Sequence, residues 1–437
     1  MNEAQSEFIE IHQLRIGMFI ELDMGWMQHP FPKGSFKIAS DKQIEVIQGL
    51  GLTRVRYVPQ KSDLIPGVLP ADGNQNLPVP DEVSAADSVQ QKAEVAAEAL
   101  RLRKQRSDFL SAQQRDLAVC ERRFGAAIRE HKLIVTQLNS KPQEAMAQAL
   151  GLVNSFVGEL LGEGESAIRL LSEGMGDKAS MHPVNITIIS LLLGKALGLS
   201  QAAMLDLGMA AFLHDIGKTQ LPDRVRLPEE NFSSAEYKLY QEHVGLGVTL
   251  GQRMGLAPGA LQAIAQHHEL VDGSGFPNRL KGDSVCLSAK ILALVDRYDN
   301  LCNPSRPALA ITPHEALSLI FAQLKPRFDG VVLSAFIRMM GVYPPGSVVQ
   351  LADERFALVV SVNSSRPLKP RVVVHDSRIS KHDALILDLE QLPALGIRRS
   401  IKPASLPKAA MDYLSPRQRI CYFFERAIDP SSAEAAP

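Results

Sequence analysis

His214-Asp215-Ile216-Gly217-Lys218 follows an apolar segment, residues 204–213, whose composition predicts a helix. Neighbouring side chains on a regular helix point about 100° apart, so adjacent residues there cannot both face one ion. At a helix end both side chains can turn toward the same place. Because a carboxylate can bridge two cations and an imidazole can bind one, the pair is suited to a two-metal site. In isolation, a capped and solvated helix end is the commoner explanation.

Five more candidate ligands stand before and after this pair in a regular order. Apolar segments of helical character lie between these positions. The five candidate ligands are His182, His243, His267, His268 and Asp296. This spacing gives about one ligand position per predicted helix, which is how metal sites form inside helical bundles. Each histidine alone is more simply a core or surface residue, but the ordered set predicts a metal site.

Three further motifs resemble those of one known family. The stretch His267-His268-Glu269-Leu270-Val271-Asp272-Gly273-Ser274-Gly275-Phe276-Pro277 is similar to the HHExxDGSGYP signature of the HD-GYP branch of the HD superfamily of metal-dependent phosphohydrolases. Asp296-Arg297-Tyr298-Asp299 follows, with Arg306-Pro307 beyond it, and Gly341-Val342-Tyr343-Pro344-Pro345-Gly346 comes last. The resemblance covers roughly residues 180 to 346, in family order.

The resemblance implies hydrolysis of the bacterial second messenger cyclic di-GMP to linear pGpG, with GMP as the product of a further cleavage. It implies seven metal ligands, with Asp215 as the shared and catalytic carboxylate: His182, His214, Asp215, His243, His267, His268 and Asp296. A hydroxide bridging two divalent cations would attack the phosphorus. Imidazole and carboxylate ligands without thiolates favour iron or manganese over zinc.

Further residues are implied to contact the substrate. Lys218 would hold a phosphate oxygen as a point charge and act in catalysis, with a structural salt bridge as its alternative role. Arg306 would bind the far phosphate, although Pro307-Ala308-Leu309 lacks the second basic residue that the family often has there. The loop residues Asp272, Gly273, Gly275, Phe276 and Pro277 would border the pocket. Phenylalanine at 276 replaces the family's tyrosine, so contact with a guanine base and a purely structural turn are equally good explanations.

The number of metals is predicted from the residue one helical turn before His182. Some family members carry a glutamate there that recruits a third cation. This chain has Lys178, whose ammonium group repels cations, and the adjacent Asp177 would point to another face of a helix. We therefore expect two metals, and a first cleavage, to pGpG, that is faster than the second, to GMP.

Composition excludes several classes of protein. The chain has 437 residues with a formal net charge of −1, so it has no basic field to attract a nucleic-acid polymer. Its four cysteines are dispersed and predict reduced thiols in a cytoplasmic protein. The N-terminus lacks the pattern of a signal peptide, and the most apolar run, residues 186–199, is interrupted by Lys195 and is too short to span a bilayer.

The pattern of turns and periodicity predicts five segments in a mainly α protein. Residues 1–60 are expected to form a small α/β domain whose 26–31 stretch resembles a module often attached to HD-GYP domains, and residues 61–85 a proline-rich linker. Residues 86–141 predict a long helical connector, 142–346 a helical-bundle HD-type catalytic domain, and 347–437 a small β appendage with a short helix near 416–427.

Two questions stay open from the sequence. The connector carries a heptad-like stripe that either forms a dimerising coiled coil or packs within its own chain: Leu110, Leu117, Cys120, Phe124, Ala127, His131, Ile134 and Leu138.

The chain is expected to be a cyclic di-GMP phosphodiesterase. Its alternatives are a non-catalytic cyclic di-GMP receptor that acts through signalling partners, and an HD-type hydrolase of another phosphoester.

Overall fold

The computed structural model describes residues 6–22, 31, 34–50, 52–63, 85–162, 164, 166–172, 178–227, 232–363, 366–392 and 395–426. It divides into two compact units, one running to Gln114 and including Asp376–Ala384, the other taking the rest from Arg115. Helices predominate, so the predicted mainly α fold is confirmed. Within the described part of the chain, every helix is too short or too polar to cross a membrane.

In the first unit, a four-stranded antiparallel sheet packs with one short helix. Its strands, in the spatial order β1-β4-β2-β3, are β1 (Glu7–Glu10), β2 (Phe19–Glu21), β3 (Ser35–Lys37) and β4 (Arg54–Tyr57). Helix α1 (Asp41–Gln48) buries Ile47 in the same core as Ile20. This confirms the predicted α/β fold. The expectation for residues 26–30 lies outside the described residues, whereas Phe31 is a core residue that packs on Phe36 at 4.5 Å.

The predicted connector is a single long helix, α2 (Ala85–Gln137), followed by α3 (Pro142–Leu161). From Cys120 to Leu138 its apolar stripe is buried in the core of the second unit, where Phe124 and Ile134 are fully enclosed. This part of the stripe packs within its own chain and is not available to a partner helix. Of the two alternatives for the connector, the intramolecular one therefore holds for residues 120–138.

The helices that carry the candidate ligands form the centre of the second unit. They are α4 (Lys178–Ala196), α5 (Gln201–Leu213), α6 (Ser234–Met254), α7 (Pro258–Gln266) and α8 (Leu287–Cys302). Helix α4 is buried on nearly every side, as its apolar sequence predicts, and packs against α5 and α8. Helix α6 begins with the predicted capping box, in which Ser233 and Glu236 exchange hydrogen bonds with each other's backbone.

Three more helices and a sheet belong to the described part of this unit. Helices α9 (Pro313–Leu319) and α10 (Gly330–Met340) begin at the predicted caps Thr312 and Asp329. The sheet contains β5 (Ser166–Leu170), β6 (Val348–Leu351), β7 (Phe356–Asn363), β8 (Arg371–Val374), β9 (Ile386–Asp388), β10 (Ile397–Ile401) and β11 (Tyr422–Arg426), with α11 (Lys408–Leu414) before the last strand. Its order is β10-β6-β7-β5-β11, and β8 pairs with β7 and β9.

The sheet differs from the predicted appendage in two respects. Strand β5 comes from the segment expected to be helical and lies between β7 and β11, so the sheet shares one core with the helices. The short helix predicted near residues 416–427 is wrong, because Tyr422–Arg426 is a strand paired with β5. Its side chains Tyr422 and Phe423 are both fully buried, which a solvated amphipathic helix would not achieve.

Candidate metal centre

The seven predicted ligands come from five helices and meet in one cluster. His182 lies in the first turns of α4, His243 in the middle of α6 and Asp296 in α8, while His214-Asp215 and His267-His268 directly follow α5 and α7. Asp215 belongs to two groups of side chains whose candidate ligand atoms all lie within 4.8 Å of one another: His182 with His214, and His243 with His267 and His268. The arrangement is therefore two adjoining sites that share one carboxylate.

Two helix ends allow adjacent residues to face the same cluster. His214 still has helical dihedrals (φ −54°, ψ −35°), but Asp215 leaves the helix at φ −100°, ψ 6° and starts the short 3-10 helix Ile216–Gln220. At the end of α7, His267 is likewise the cap residue. The break in each helix brings the second side chain of each pair to the side that the first one faces.

Backbone hydrogen bonds orient three of the imidazoles. His214, His243 and His267 each place Nδ1 within 2.6–2.8 Å of the carbonyl oxygen three residues earlier in the chain. A carbonyl only accepts, so Nδ1 carries the proton and Nε2 presents its lone pair to the cluster. Fixing the tautomer through the remote nitrogen is the usual way in which proteins prepare a histidine for a metal.

The inward nitrogen atoms crowd around the Asp215 carboxylate. Nε2 of His214 lies 3.3 Å from Oδ2 of Asp215, and Nε2 of His243 lies 3.6 Å from its Oδ1. Two pairs of nitrogens also face each other, His214 with His182 at 3.3 Å and His243 with His267 at 3.4 Å. His243 and His267 both carry their proton on Nδ1, so their Nε2 lone pairs face each other and repel unless a cation lies between them.

Two buried polar atoms of the cluster have no hydrogen-bond partner, namely Oδ1 of Asp215 and Nε2 of His268. Leaving such atoms unsatisfied is costly, and cation binding is one way in which proteins satisfy them. The donor set of imidazole nitrogens and carboxylate oxygens suits a divalent transition metal. The residues present therefore fit the metal that the sequence predicts.

The electrostatics differ between the two sides of the cluster. Burial lowers the pKa of His243 to about 4 and that of His268 to about 3, which keeps both imidazoles neutral at pH 7. Burial also acts to lower the pKa of His182, but hydrogen bonds with Asp296 and Asp299 outweigh it and raise that pKa to about 9. The carboxylates of Asp296 and Asp299 therefore stabilise a positive charge at the position of His182 between them.

Asp299 is a residue of the site that the ligand pattern alone did not reveal. Its carboxylate is fully buried, and Oδ2 lies 2.6 Å from Nδ1 of His182. On the other side of the imidazole, Nε2 of His182 lies 3.2 Å from Oδ1 of Asp296. The spacing Asp296-x-x-Asp299 was the available signal, because residues three apart on a helix share a face.

Lys218 contacts the shared carboxylate directly. Its Nζ lies 2.6 Å from Oδ2 of Asp215 and 5.2 Å from the centre of the Tyr240 ring. Burial disfavours the ammonium form, but the adjacent carboxylate outweighs burial and raises the pKa of Lys218 above its usual value. The salt bridge considered for Lys218 is therefore present, and its partner is a candidate metal ligand.

The predicted substrate loop is held in place by its own residues. Glu269 is buried and accepts hydrogen bonds from the backbone nitrogens of Asn278 and Leu280 at 2.6 and 2.8 Å. A Cβ on Gly275 would lie 2.5 Å from the carbonyl oxygen of His268, and Gly273 has a φ of 81° that glycine adopts at little cost. The close approach at Gly275 and the positive φ at Gly273 explain why glycine occupies both positions.

The remaining loop residues lie in different surroundings. Asp272 is exposed and accepts from the nitrogen and hydroxyl of Ser274. Phe276 precedes the cis peptide bond to Pro277 and stacks on His268, with ring centres 4.5 Å apart. Arg306 is exposed beside the 3-10 helix Pro307–Leu309 that follows α8. Phe276 thus packs on a candidate ligand, and the substrate contacts of these residues stay predictions.

Gly217 has a role that the sequence did not reveal. A Cβ at this position would lie 1.9 Å from the carbonyl oxygen of His243 and 2.5 Å from the nitrogen of Gly247. The absence of a side chain lets the segment after Asp215 run directly against the backbone of α6. This close approach is what brings Asp215 and Lys218 to His243.

Comparison with known proteins identifies two family matches and one relative that is similar along most of the chain. Residues 165–332 match the HD domain family, and residues 7–149 match the domain of unknown function DUF3391. Cyclic di-GMP phosphodiesterase PA4108 of Pseudomonas aeruginosa is 27% identical over 85% of this chain and 86% of its own length.

Two further relatives are similar over a shorter part of the chain. The cyclic di-GMP phosphodiesterase response regulator RpfG of Xanthomonas campestris is 35% identical over 34% of this chain and 39% of its own length. The 3'3'-cGAMP-specific phosphodiesterase 2 of Vibrio cholerae is 32% identical over 30% of this chain and 25% of its own length. With the signature loop and the ligand cluster in place, residues 165–332 of this chain are an HD domain that carries the signature of the HD-GYP branch.

Proposed function

We propose that this protein is a metal-dependent phosphodiesterase that hydrolyses cyclic di-GMP. The observation that carries the proposal is the pair of adjoining ligand groups that share Asp215, with unpartnered buried atoms facing the cluster. The activity named for its relatives, among them one similar along most of the chain, supports the choice of substrate.

The centre would hold two divalent cations, iron or manganese. His182, His214 and Asp296 would serve one cation, while His243, His267 and His268 would serve the other, and Asp215 would serve both. Such cations lower the pKa of a bound water and neutralise charge on phosphoryl oxygens. Three of the histidines have their tautomers set by backbone carbonyls, so the chain supplies oriented, neutral ligands.

Lys218 would add a fixed positive charge beside the reacting phosphate. Its partner Asp215 would also serve the cations, and a carboxylate that serves cations would attract the ammonium group less strongly. The Lys218 side chain then has a charge to offer to a phosphate oxygen at a site already shielded from water. Lys218 would lower the barrier by stabilising negative charge that grows in the transition state.

The loop from Asp272 to Pro277 and Arg306 would bind the rest of the nucleotide. Tyr237 is half-exposed, and its ring centre lies 6.1 Å from that of Phe276, so the two aromatic rings offer an apolar surface beside His268. A guanine base could stack on such a surface. Arg306 would bind the second phosphate through its guanidinium group.

The quaternary arrangement is part of the same proposal. Because the apolar stripe from Cys120 to Leu138 is buried in its own unit, a homodimer formed through the connector would use the helix before Cys120, where Phe109 is half-exposed. The alternative of a non-catalytic receptor predicts binding of cyclic di-GMP without turnover.

One experiment separates these functions. The protein is purified without oxygen, its iron and manganese are measured, and it is incubated with cyclic di-GMP, with 3'3'-cGAMP and with a generic phosphodiester. We expect cyclic di-GMP to be hydrolysed fastest. Binding without hydrolysis would establish the receptor, and faster hydrolysis of 3'3'-cGAMP or of the generic ester would establish another phosphoester as the substrate.

A further inference from the structure

The C-terminal strand is connected by hydrogen bonds to the candidate metal centre. Asp299, which orients His182 through its Oδ2, accepts two amide hydrogen bonds at Oδ1, from Asn185 of α4 and from Asn303 at the end of α8. All three of these side chains are at most 4% exposed. The carboxylate behind His182 is thus fully satisfied, and two asparagines fix its position.

The same two asparagines bind the backbone just before and at the start of β11. Asn303 donates to the carbonyl oxygen of Ile420 and accepts from the nitrogen of Ile420, both at 2.8 Å. Asn185 donates to the same carbonyl at 3.2 Å and accepts from the nitrogen of Tyr422 at 2.8 Å. In each asparagine, the side-chain NH2 group therefore donates to both Asp299 and the carbonyl oxygen of Ile420. The side-chain oxygen accepts from a backbone nitrogen of the C-terminal segment.

We propose that Asn185, Asn303 and the backbone from Ile420 to Tyr422 are positioning elements of the metal centre, acting on His182 through Asp299. The family match ends at residue 332, about 90 residues before this segment. The C-terminal strand would thus be part of the catalytic apparatus of this chain and not an appendage. The inference rests on the proposed metal centre, and it deepens that proposal.

The physical reason lies in how a buried carboxylate orients a histidine. Without the amide donors, Asp299 would keep a buried, partly unsatisfied charge, which costs free energy and leaves the carboxylate free to rotate. The imidazole of His182 would lose its fixed orientation, and its Nε2 would no longer stay directed at the cluster. Loss of such outer partners typically weakens metal affinity by about 10–100-fold.

The test is metal affinity, measured on the full chain by titrating metal-free protein with Mn²⁺. Asn303→Ala and Asn185→Ala should each weaken Mn²⁺ binding by roughly 10–100-fold. If an alanine variant is insoluble, Asn303→Asp replaces it, because aspartate has the same volume and still accepts from the nitrogen of Ile420. The double variant Asp299→Asn/Asn303→Ala should be little weaker than Asp299→Asn alone, since both changes act through the same histidine.

Phe424→Leu is the matched control on the same strand. The Phe424 ring stacks on Phe423 at 4.7 Å and contacts Phe156, so this change lowers the melting temperature without touching the asparagine contacts. It should leave Mn²⁺ affinity within about threefold of the wild type, a difference well below the effect of losing an outer partner. Wild-type affinity in a folded Asn303→Ala or Asn303→Asp variant would overturn the inference, as would equal weakening by Phe424→Leu. If the wild type binds Mn²⁺ but does not cleave cyclic di-GMP, only the proposed function fails.

Discussion

At the scale of single residues, the first question is whether Lys218 stabilises charge on the phosphate or only forms a structural salt bridge with Asp215. Lys218→Met keeps the apolar stem and removes the charge, whereas the metals keep their ligands. We expect metal content to be maintained and turnover to fall by ~10²–10³-fold, or roughly 3–4 kcal/mol, as for other preorganised donors. Steady-state kinetics and metal analysis on the same sample check this.

Lys238→Met is the control for that change, because Lys238 is exposed on the first turns of α6. It should leave both turnover and metal content unaltered. If Lys218→Met loses its metals, the lysine holds Asp215 in place and does not act on the substrate.

His131 makes a second prediction at this scale, on stability. It is buried on α2 against the Phe212 ring, and burial lowers its pKa to about 4. An unfolded histidine titrates near 6.5, so the unfolded chain binds more protons between these values, and stability is lost as the pH falls from about 6.5 to 4. The full loss from this one group is roughly 3 kcal/mol.

The measurement compares urea unfolding of metal-free wild type and His131→Leu from pH 7 to pH 4. Because the other histidines titrate in both proteins, the difference between the two pH profiles isolates His131. We expect the wild type to lose more stability than the variant over this range. Parallel profiles would show that His131 titrates equally in both states.

The candidate metal ligands were predictable from the sequence because their residue types recur at a regular spacing along the chain. Histidine and aspartate at one position per helix identified the side chains that meet around Asp215. Asp299 and Glu269 were not identified as partners, because their roles depend on what lies behind an imidazole or under a loop. Those contacts exist only once α4, α8 and the loop have packed together.

At the scale of elements, the contact between Gly217 and α6 is the most demanding. Gly217→Ala would push a methyl group into the backbone of His243 and Gly247, where no flexible side chain can give way. We expect a loss of about 1–3 kcal/mol or more in the free energy of unfolding. Because the same shift moves Asp215, metal content should fall with stability.

Gly245→Ala, at a glycine within α6, is the matched control. It is exposed, and a Cβ there meets nothing within 4 Å. In an exposed helix interior alanine is favoured over glycine by roughly 1 kcal/mol, so this variant should be slightly more stable. Thermal unfolding of both variants checks the pair, and an unchanged melting temperature for Gly217→Ala would contradict the close approach.

Helices with clear caps were predictable as elements, whereas two strands were not. The sequences around Ser233, Thr312 and Asp329 contain their own capping groups, so local chemistry is enough to start each helix. Strands β5 and β11 have no local signal of this kind. Each is five residues long and is stabilised by pairing with a segment more than 250 positions away in the chain.

At the scale of the whole molecule, the number of metals should set the products. Asp177 and the side chain of Lys178, on which the two-metal prediction depends, lie outside the described residues. With two metals, the terminal phosphate of a linear product meets fewer cations, so pGpG should accumulate before GMP appears. A time course with metal analysis checks this, and three metals per active chain, or GMP without pGpG, would contradict it.

The proposed centre is tested most directly by comparing metal-loaded wild type with Asp215→Ala in cyclic di-GMP hydrolysis, measuring metal content on the same samples. Asp223→Ala, a change at an exposed carboxylate nearby in the chain, serves as the control. We predict turnover by the wild type and the control, and a drop of at least ~100-fold with reduced metal content in Asp215→Ala. Near-normal turnover by Asp215→Ala, or no hydrolysis by the fully loaded wild type, would contradict it.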